Sequence, residues 1–358
     1  MKIVLLIDHL SGFGGAQRVI TNIANRMTEK GNEVEFILTG NNKSCVYQLD
    51  NRIKINLIQD SSVKRMSKIK KIKKIRQTIK KTQTDVVISF LTMVNIIAII
   101  SNAGLDIPII ISERNDPDRC SKIEKLLSRL FYRFAQCVVV QTDCIKEKIS
   151  RYYKKNIEVI GNPLVNHGVE KTIYERTKRV IAVGRLNKQK NYTLLLEAFS
   201  KVILNYKDYF IDIYGVGKEE ESLKKKCHEL GIEKNVFFKG NKSDVITCEP
   251  DYEFYVMSSD YEGMPNALAE AMSVGLPCIS TNCDGGGAAA LIKNEKNGLL
   301  VEKNNIDELE RAMLRYIENP DFAKQMGNEA KRIKVDLGHQ AIMNKWEILI
   351  EKLSSEQG

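Results

Sequence analysis

The 358-residue chain is poor in the residues from which metal centres, disulfide frameworks and acid–base catalysts are usually built. It has four histidines, and of these only His9 stands near a loop suited to chemistry, where a lone histidine reads as a structural or substrate-contact residue. The eight cysteines (45, 120, 137, 144, 227, 248, 278, 283) form no Cys-x-x-Cys pair and no Cys/His cluster at metal-ligand spacing, which points to reduced cytosolic thiols. Long apolar runs are missing as well. Residues 3–7 are apolar but stop at Asp8, too short for a signal core, so the protein is expected to stay where it is made. The most apolar stretch, 86–100, contains Ser89, Thr92 and Asn95 and falls short of the roughly twenty residues a membrane span needs. It reads as a buried strand leading into a buried helix.

Acids are absent from residues 64–81, which hold ten Lys/Arg and account for much of the formal net charge of +10. Val63, Met66, Ile69, Ile72, Ile75 and Ile79 recur there at three- and four-residue intervals, predicting a helix over 63–81 with one apolar stripe and a basic remainder. Such a helix can be a solvated face, a nucleic-acid contact or a membrane-surface contact. No nucleic-acid module surrounds the run and no aromatics interleave it, which disfavours nucleic acid. An anionic bilayer offers about 1 kcal/mol per nearby Lys or Arg, enough for salt-sensitive attachment. The solvated face and the membrane contact both stay open.

With 43% hydrophobic and 28% charged residues, the chain is long enough for two domains with separate cores. An apolar strand at 2–7, a glycine-rich loop at 8–15, an amphipathic helix at 16–30 closed by Gly31 and a strand from 34 announce a parallel sheet with crossover helices. The rhythm continues through strands at 85–90, 107–112 and 137–141. The first loop lacks a full Gly-x-Gly-x-x-Gly, so a dinucleotide fingerprint is not supported, and Gly14-Gly15 makes a tight turn or a close backbone approach to a ligand. Asp116-x-Asp118 offers two carboxylates to a metal, but Pro117 makes a turn the simpler reading.

The irregular stretch after Gly161-Asn162-Pro163 marks a boundary, giving domains 1–165 and 166–339. A second series follows, with strands at 179–183, 210–214, 236–239, 254–257 and 277–281 and helices at 191–204 and 219–230. Helices are also expected at 307–318, 322–336 and 340–353. Arg185 and Lys190, just after the strand at 179–183, suit phosphate oxygens, and Gly215 and Gly217, after the strand at 210–214, allow a nucleotide close to backbone. Each of these, taken singly, can also be an ordinary turn. The centre of the series is 258–281, where Glu262 and Glu270 stand eight apart around a short helix started by Pro265 and ended by Gly275. The unpaired N–H groups and the positive end of the helix dipole that meet at 265–268 would attract a diphosphate, while the two carboxylates would accept hydrogen bonds from vicinal hydroxyls of a ribose or sugar. Alternatively Glu262 caps the helix and Glu270 lies on a solvated face.

Taken in order, these motifs resemble retaining glycosyltransferase family four. Gly14-Gly15-Ala16 is similar to its amino-terminal glycine loop and Val183-Gly184-Arg185-Leu186 with Lys190 to its phosphate-binding segment. The run Glu262-Gly263-Met264-Pro265-Asn266-Ala267-Leu268-Ala269-Glu270 resembles its Glu-x7-Glu donor helix, and Asn297-Gly298-Leu299-Leu300-Val301 its closing strand. The resemblance implies an α/β GT-B fold: two Rossmann-like doubly wound domains facing a central cleft, with a final helix at 340–358 crossing back to the first. The first domain would bind acceptor and the second the nucleotide sugar.

The resemblance also assigns roles. Glu270 would hold the ribose hydroxyls and Glu262 would meet the transferred sugar, with Gly15, Gly215, Gly217 and the backbone at Met264, Asn266, Ala267 and Leu268 around the donor. Arg185 and Lys190 would neutralise charge growing on the leaving diphosphate, work that needs no metal. The two glutamates are then not a glycosidase-type acid/base pair. Where many relatives carry a histidine, this chain has Ser112-Glu113-Arg114-Asn115, and Arg114 would take the electrostatic part of that role without acting as a base. Asp284-Gly285-Gly286-Gly287 also departs from the common pattern, and Trp346 reads as a packing anchor.

The expected activity is transfer of a HexNAc or hexose, with retention, from a UDP-sugar to a polyprenyl-diphosphate-linked oligosaccharide of bacterial capsule, exopolysaccharide or O-antigen type. The enzyme would be cytoplasmic and peripheral on the inner membrane face through the basic helix 63–81, without nucleic acid and without metal. Two alternatives are a nucleotide-sugar 2-epimerase of the same shape, which the shortage of histidines disfavours, and a silent nucleotide-sugar-binding subunit.

Overall fold

The computed structural model describes residues 1–12, 14–59, 66–164, 177–242, 245–248 and 252–355. It divides into two compact units: Met1–Pro163 with Gln340–Gly358, and Leu164–His339.

The first unit holds a seven-stranded sheet of β1 (Lys2–Ile7), β2 (Glu33–Leu38), β3 (Lys54–Leu57), β4 (Val86–Phe90), β5 (Ile109–Ser112), β6 (Cys137–Val140) and β7 (Asn156–Val159). These strands pair in parallel throughout and the order is β3-β2-β1-β4-β5-β6-β7. Central strands of such a sheet are covered on both faces and therefore read as unbroken apolar runs. β4, β5 and β6 are buried at every position, whereas β3 at one edge and β7 at the other are nowhere buried.

The second unit repeats the plan with six parallel strands: β8 (Arg179–Val183), β9 (Phe210–Tyr214), β10 (Val236–Phe238), β11 (Phe254–Met257), β12 (Cys278–Thr281) and β13 (Leu299–Val301), in the order β10-β9-β8-β11-β12-β13. In both sheets the order reverses once, between β1 and β4 and between β8 and β11. Loops at the carboxyl ends of these strand pairs diverge to opposite faces and leave the crevice where open α/β sheets bind ligands. Each unit has its own apolar core, one around Val4, Val87, Ile111 and Tyr132, the other around Val180 and Ala182 with Phe199, Phe254 and Tyr316.

The last helix, His339–Ser355, lies almost wholly within the first unit's 340–358 segment, as the family resemblance implied. Trp346 is 1% exposed and stacks on Phe90 with ring centroids 5.8 Å apart, so it is the expected packing anchor.

Three expectations need correction. The helix anticipated over 322–336 is two, Pro320–Ala330 and Ile333–Leu337. Pro320 takes the first helical position, where its missing N–H costs nothing, and the chain turns at Lys331 and Arg332. Pro265 is the cap rather than the first residue of its helix, which runs Asn266–Ser273. The basic helix runs Lys68–Lys81, and residues 63–65 of the anticipated stretch lie outside the described residues. No helix among the described residues is long and apolar enough to cross a membrane.

Candidate active site

The second sheet gathers the charged residues of interest at the carboxyl ends of three adjacent strands. Arg185 and Lys190 follow β8, Gly215 and Gly217 follow β9, and Glu262 to Glu270 follow β11. At the β8/β11 reversal, Lys190 Nζ lies 2.6 Å from Glu262 Oε1, and the same oxygen accepts from Ser259 Oγ at 2.9 Å. Both side chains are largely buried, 15% and 11% exposed, so the pair is screened weakly. Arg185, by contrast, is exposed and its guanidinium meets no carboxylate among the described residues.

Backbone ties fix this geometry. Asn187 accepts from the Lys190 amide and Asn191 adopts the left-handed conformation, φ 44°, closing the turn that carries the lysine. Asn191 Nδ2 donates to Asp260, Asp260 N donates to Gln189 O, and Gln189 Nε2 donates to Tyr261 O, so the loops after β8 and β11 are laced together. The lysine lies across Gly184, where a Cβ would stand 2.7 Å from its Cε. Tyr192, buried beneath, donates to Gly184 O. Burial, then the Glu262 charge, raises its phenol far above the ordinary range.

The helix Asn266–Ser273 has Pro265 at its N-cap, which makes no side-chain cap hydrogen bond, while the Glu262 carboxylate meets Lys190 and Ser259. The amides of its first turn, those of Asn266, Ala267 and Leu268, have no acceptor within the helix itself and suit an anion. The Leu268 side chain is fully buried, so that residue has only its amide to offer. Met264 and Glu270 are half-buried. Close behind, a Cβ on Gly287 would fall 1.9 Å from Gly263 O, and Glu262 N donates to Asp284 O. Asp284 in turn pairs with Lys303 at 2.9 Å. Cys283 is no nucleophile: burial, with the Glu262 charge adding to it, pushes its thiol up to about 12.

In the first unit, Arg114 follows β5 and is 7% exposed. It donates to Asn162 Oδ1 at 3.0 Å and its guanidinium lies 4.7 Å from the Phe90 ring centroid and 5.9 Å from that of Trp346. Burial holds its pKa down to about 9, opposed by the charge of Glu113. Its Nε and Nη2 are buried without a hydrogen-bond partner among the described residues. Glu113 anchors the loop by accepting from Thr92 Oγ1, Tyr132 OH at 2.6 Å and the amides of Arg114 and Asn115. Burial pushes its carboxyl up while these hydrogen bonds pull it down.

Asp116 is ion-paired with Lys148 at 2.7 Å and accepts from Asp118 N, so Asp116-x-Asp118 is a turn. Among the described residues no three His, Cys, Asp or Glu gather as a metal group. Gly15 opens the helix Gly15–Glu29 after Gly14, and His9 Nδ1 lies 3.3 Å from Ser11 Oγ.

The structure therefore brings Lys190 and Glu262 into contact, with Arg185, Gly215, Gly217 and the Glu270 helix at the same sheet edge. It holds Arg114 through residues of its own unit. Ser259, Tyr192 and Glu113 were not foreseen as site supports, nor was Leu91, which follows β4 at the first unit's strand-order reversal with φ 78°. A non-glycine residue held there marks stored strain of the kind found at functional sites.

The two units correspond to two family models. Residues 13–165 match Glycosyltransferase Family 4 and residues 167–333 match Glycosyl transferases group 1. An uncharacterized glycosyltransferase of Haemophilus influenzae is 30% identical over 352 residues, covering 97% of this chain and 99% of the relative. The chain belongs to this glycosyltransferase family. A Campylobacter jejuni relative, 29% identical over 366 residues with 99% of each chain covered, is named an alpha-1,4-N-acetyl-D-galactosaminyltransferase acting on GalNAc-alpha-(1->4)-GalNAc-alpha-(1->3)-diNAcBac-PP-undecaprenol. Among solved structures, sucrose-phosphate synthase from Thermosynechococcus elongatus superposes with a TM-score of 0.84 over 99% of both chains at 16% identity, which shows the shared GT-B fold.

Proposed function

We propose that the chain transfers a HexNAc or hexose from a UDP-sugar, with retention, to a polyprenyl-diphosphate-linked oligosaccharide in bacterial surface-glycan assembly. The observation that carries this reading is the buried Lys190–Glu262 pair at the β8/β11 reversal, beside the N-terminus of the helix Asn266–Ser273. A lysine so placed meets the donor diphosphate, and Glu262, relieved of part of its partner's charge, accepts from a sugar hydroxyl. Arg185 adds a second cation and Glu270 takes the ribose hydroxyls. The second unit is then the donor domain and the first the acceptor domain, where Arg114 supplies a fixed positive charge.

In the step proposed, an acceptor hydroxyl oxygen attacks the anomeric carbon on the face from which the diphosphate departs. The bond from anomeric carbon to phosphate oxygen breaks, and the hydroxyl proton passes to a phosphate oxygen of the leaving UDP. Arg185 and Lys190 stabilise the charge that grows there. The lipid-linked acceptor of the Campylobacter relative supports the acceptor class and a site of action at the cytoplasmic membrane face, with the basic helix Lys68–Lys81 turned to anionic lipid. Neither the epimerase nor the silent subunit is favoured, because the named relative is a transferase and Lys190, Glu262 and Glu270 are all present.

The test incubates the protein with a UDP-, GDP- and ADP-sugar panel and a short-chain prenyl-diphosphate oligosaccharide. Mass spectrometry should find the acceptor heavier by one sugar with one equivalent of UDP released, and NMR should find an axial anomeric linkage from an axial donor. An isomerised donor, or no turnover with any nucleotide sugar, overturns the reading.

A further inference from the structure

One face of the first sheet is not finished as a water-facing surface. Right-handed crossovers place the helices Lys68–Lys81, Thr92–Asn102 and Lys122–Phe131 on that face, and the middle helix packs against both others. Their inner sides share one core. The outer side of Lys122–Phe131 presents Ile123, Leu126 and Leu130, which are 69%, 59% and 44% exposed. At 100° per residue these three fall within an arc of about 60°. Phe134, in the turn that follows, is 55% exposed. A surface helix normally turns such a stripe inward.

The fully exposed charges of the helix and the turn after it are basic. Lys122, Arg129 and Arg133 are exposed on its flank. Glu124, the one acid of the helix, is held in a capping box with Ser121. On the far side of the middle helix, Lys68–Lys81 has no acid at all. Lys71, Lys74 and Arg76 donate to the carbonyls of Thr39, Ile58 and Ser101, but Lys68, Lys70, Lys73, Lys80 and Lys81 face water. Ile69 stands 69% exposed among them, and Met93, Ile97 and Ile100 are half-buried at i, i+4 and i+7 along the helix between.

We propose that this three-helix face docks on an anionic bilayer, with Ile123, Leu126, Leu130 and Phe134 entering the boundary between headgroups and acyl chains and the lysines of Lys68–Lys81 binding the headgroups. It rests on the membrane-surface reading above and moves the main apolar contact from the basic helix to Lys122–Phe131. An apolar stripe with a basic flank is the chemistry of an interfacial helix. A second copy of the chain is a poor occupant, because it would set one basic rim against another.

The test is co-sedimentation of the full-length protein, without donor or acceptor, with phosphatidylcholine vesicles and with vesicles one-third phosphatidylglycerol, at low and high salt. The wild type should pellet with the anionic vesicles alone, and salt should release part of it. The double variant Leu126→Gln with Leu130→Gln should bind roughly tenfold or more weakly. The triple variant Lys70→Gln, Lys73→Gln and Lys80→Gln should bind the anionic vesicles more weakly and with a smaller salt dependence than wild type. Phe134→Trp, read against the buried Trp346, should shift its emission to the blue when vesicles are added. The proposal falls if the wild type stays in the supernatant, if the leucine variant pellets like wild type, if the emission of the Phe134→Trp variant does not move, or if the leucine variant only converts a dimer to a monomer. Stabilisation by UDP is measured on the same samples. Loss of it in the leucine variant marks misfolding, which the emission shift of the folded Phe134→Trp variant then decides, and its absence in wild type counts against the transferase reading alone.

Discussion

Lys190 and Glu262 stand 72 residues apart in the chain and 2.6 Å apart in the fold. Their contact joins the loops after β8 and β11, so the strand-order reversal of the second sheet carries a closed ion pair. On the proposed function, a donor diphosphate competes with Glu262 for the lysine. Replacing Lys190 with Ala removes that cation and strands a buried carboxylate. Lys190→Ala should lower kcat by roughly 10²–10³-fold, the scale of one lost transition-state donor. The measurement is UDP release under saturating donor and acceptor. Glu262→Gln should instead keep UDP binding while transfer falls, which calorimetry with UDP alone separates from turnover.

Glu270 is expected to act on the nucleoside and not on the reacting sugar. Losing hydrogen bonds to a charged carboxylate costs roughly 1.5–3 kcal/mol, or about 10–100-fold in UDP affinity. At about 100 Kd, UDP should stabilise the wild type by roughly 2.7 kcal/mol. Glu270→Ala at the same UDP concentration should lose most of that increment, read as a smaller rise in Tm.

Two glycines of the second unit make a matched pair for testing close packing. A Cβ on Gly215, at φ +148°, would lie 1.9 Å from Gly184 O, in the backbone that leads to Arg185. A Cβ on Gly231, at φ +66°, meets nothing within 4 Å. Gly231→Ala should therefore cost only the left-handed penalty, about 1–2 kcal/mol. Gly215→Ala should cost more and should also weaken UDP binding, because β8 and β9 must part to admit the methyl group. Urea unfolding and UDP calorimetry on both variants check the contrast.

Much of this was legible in the sequence because buried parallel strands must be apolar throughout. β1, β4, β5, β8 and β11 announce themselves that way. β3 and β7 did not, since edge strands cover less and their residues are half-buried or exposed. The order of the site motifs was readable, but the Lys190–Glu262 contact was not, because periodicity carries no information on which loops meet. Ser259 and Tyr192 support the pair from positions that look like ordinary turn and core residues. Arg114 was readable as a cation but not as one enclosed by Phe90, Trp346 and Asn162, which come from distant segments. Leu91 left no trace, since leucine carries no preference for positive φ.

The last helix offers a pH test of how it is held. Glu347 accepts from Lys30 Nζ at 2.6 Å and from Arg26 Nη2 at 3.1 Å, both near the end of the helix Gly15–Glu29. The Lys30 hydrogen bond, with Arg26 and both charges adding to it, holds the Glu347 carboxyl below the usual glutamate range. A carboxyl whose pKa is lower in the folded state binds fewer protons there than in the unfolded chain. Its contribution is therefore full above the unfolded value of about 4.3 and disappears as the pH falls through the folded value. The pair is partly exposed, so Glu347→Gln should cost only about 0.2–1 kcal/mol at neutral pH. Trp346 is the one tryptophan and lies next to it on the same helix, so its fluorescence reports unfolding of the first unit. Urea titrations followed by that signal should show wild type above Glu347→Gln at pH 7 and the two curves converging in acid. A difference that persists unchanged well below pH 4 would assign the stabilisation to packing of the Glu347 methylenes and not to its charge.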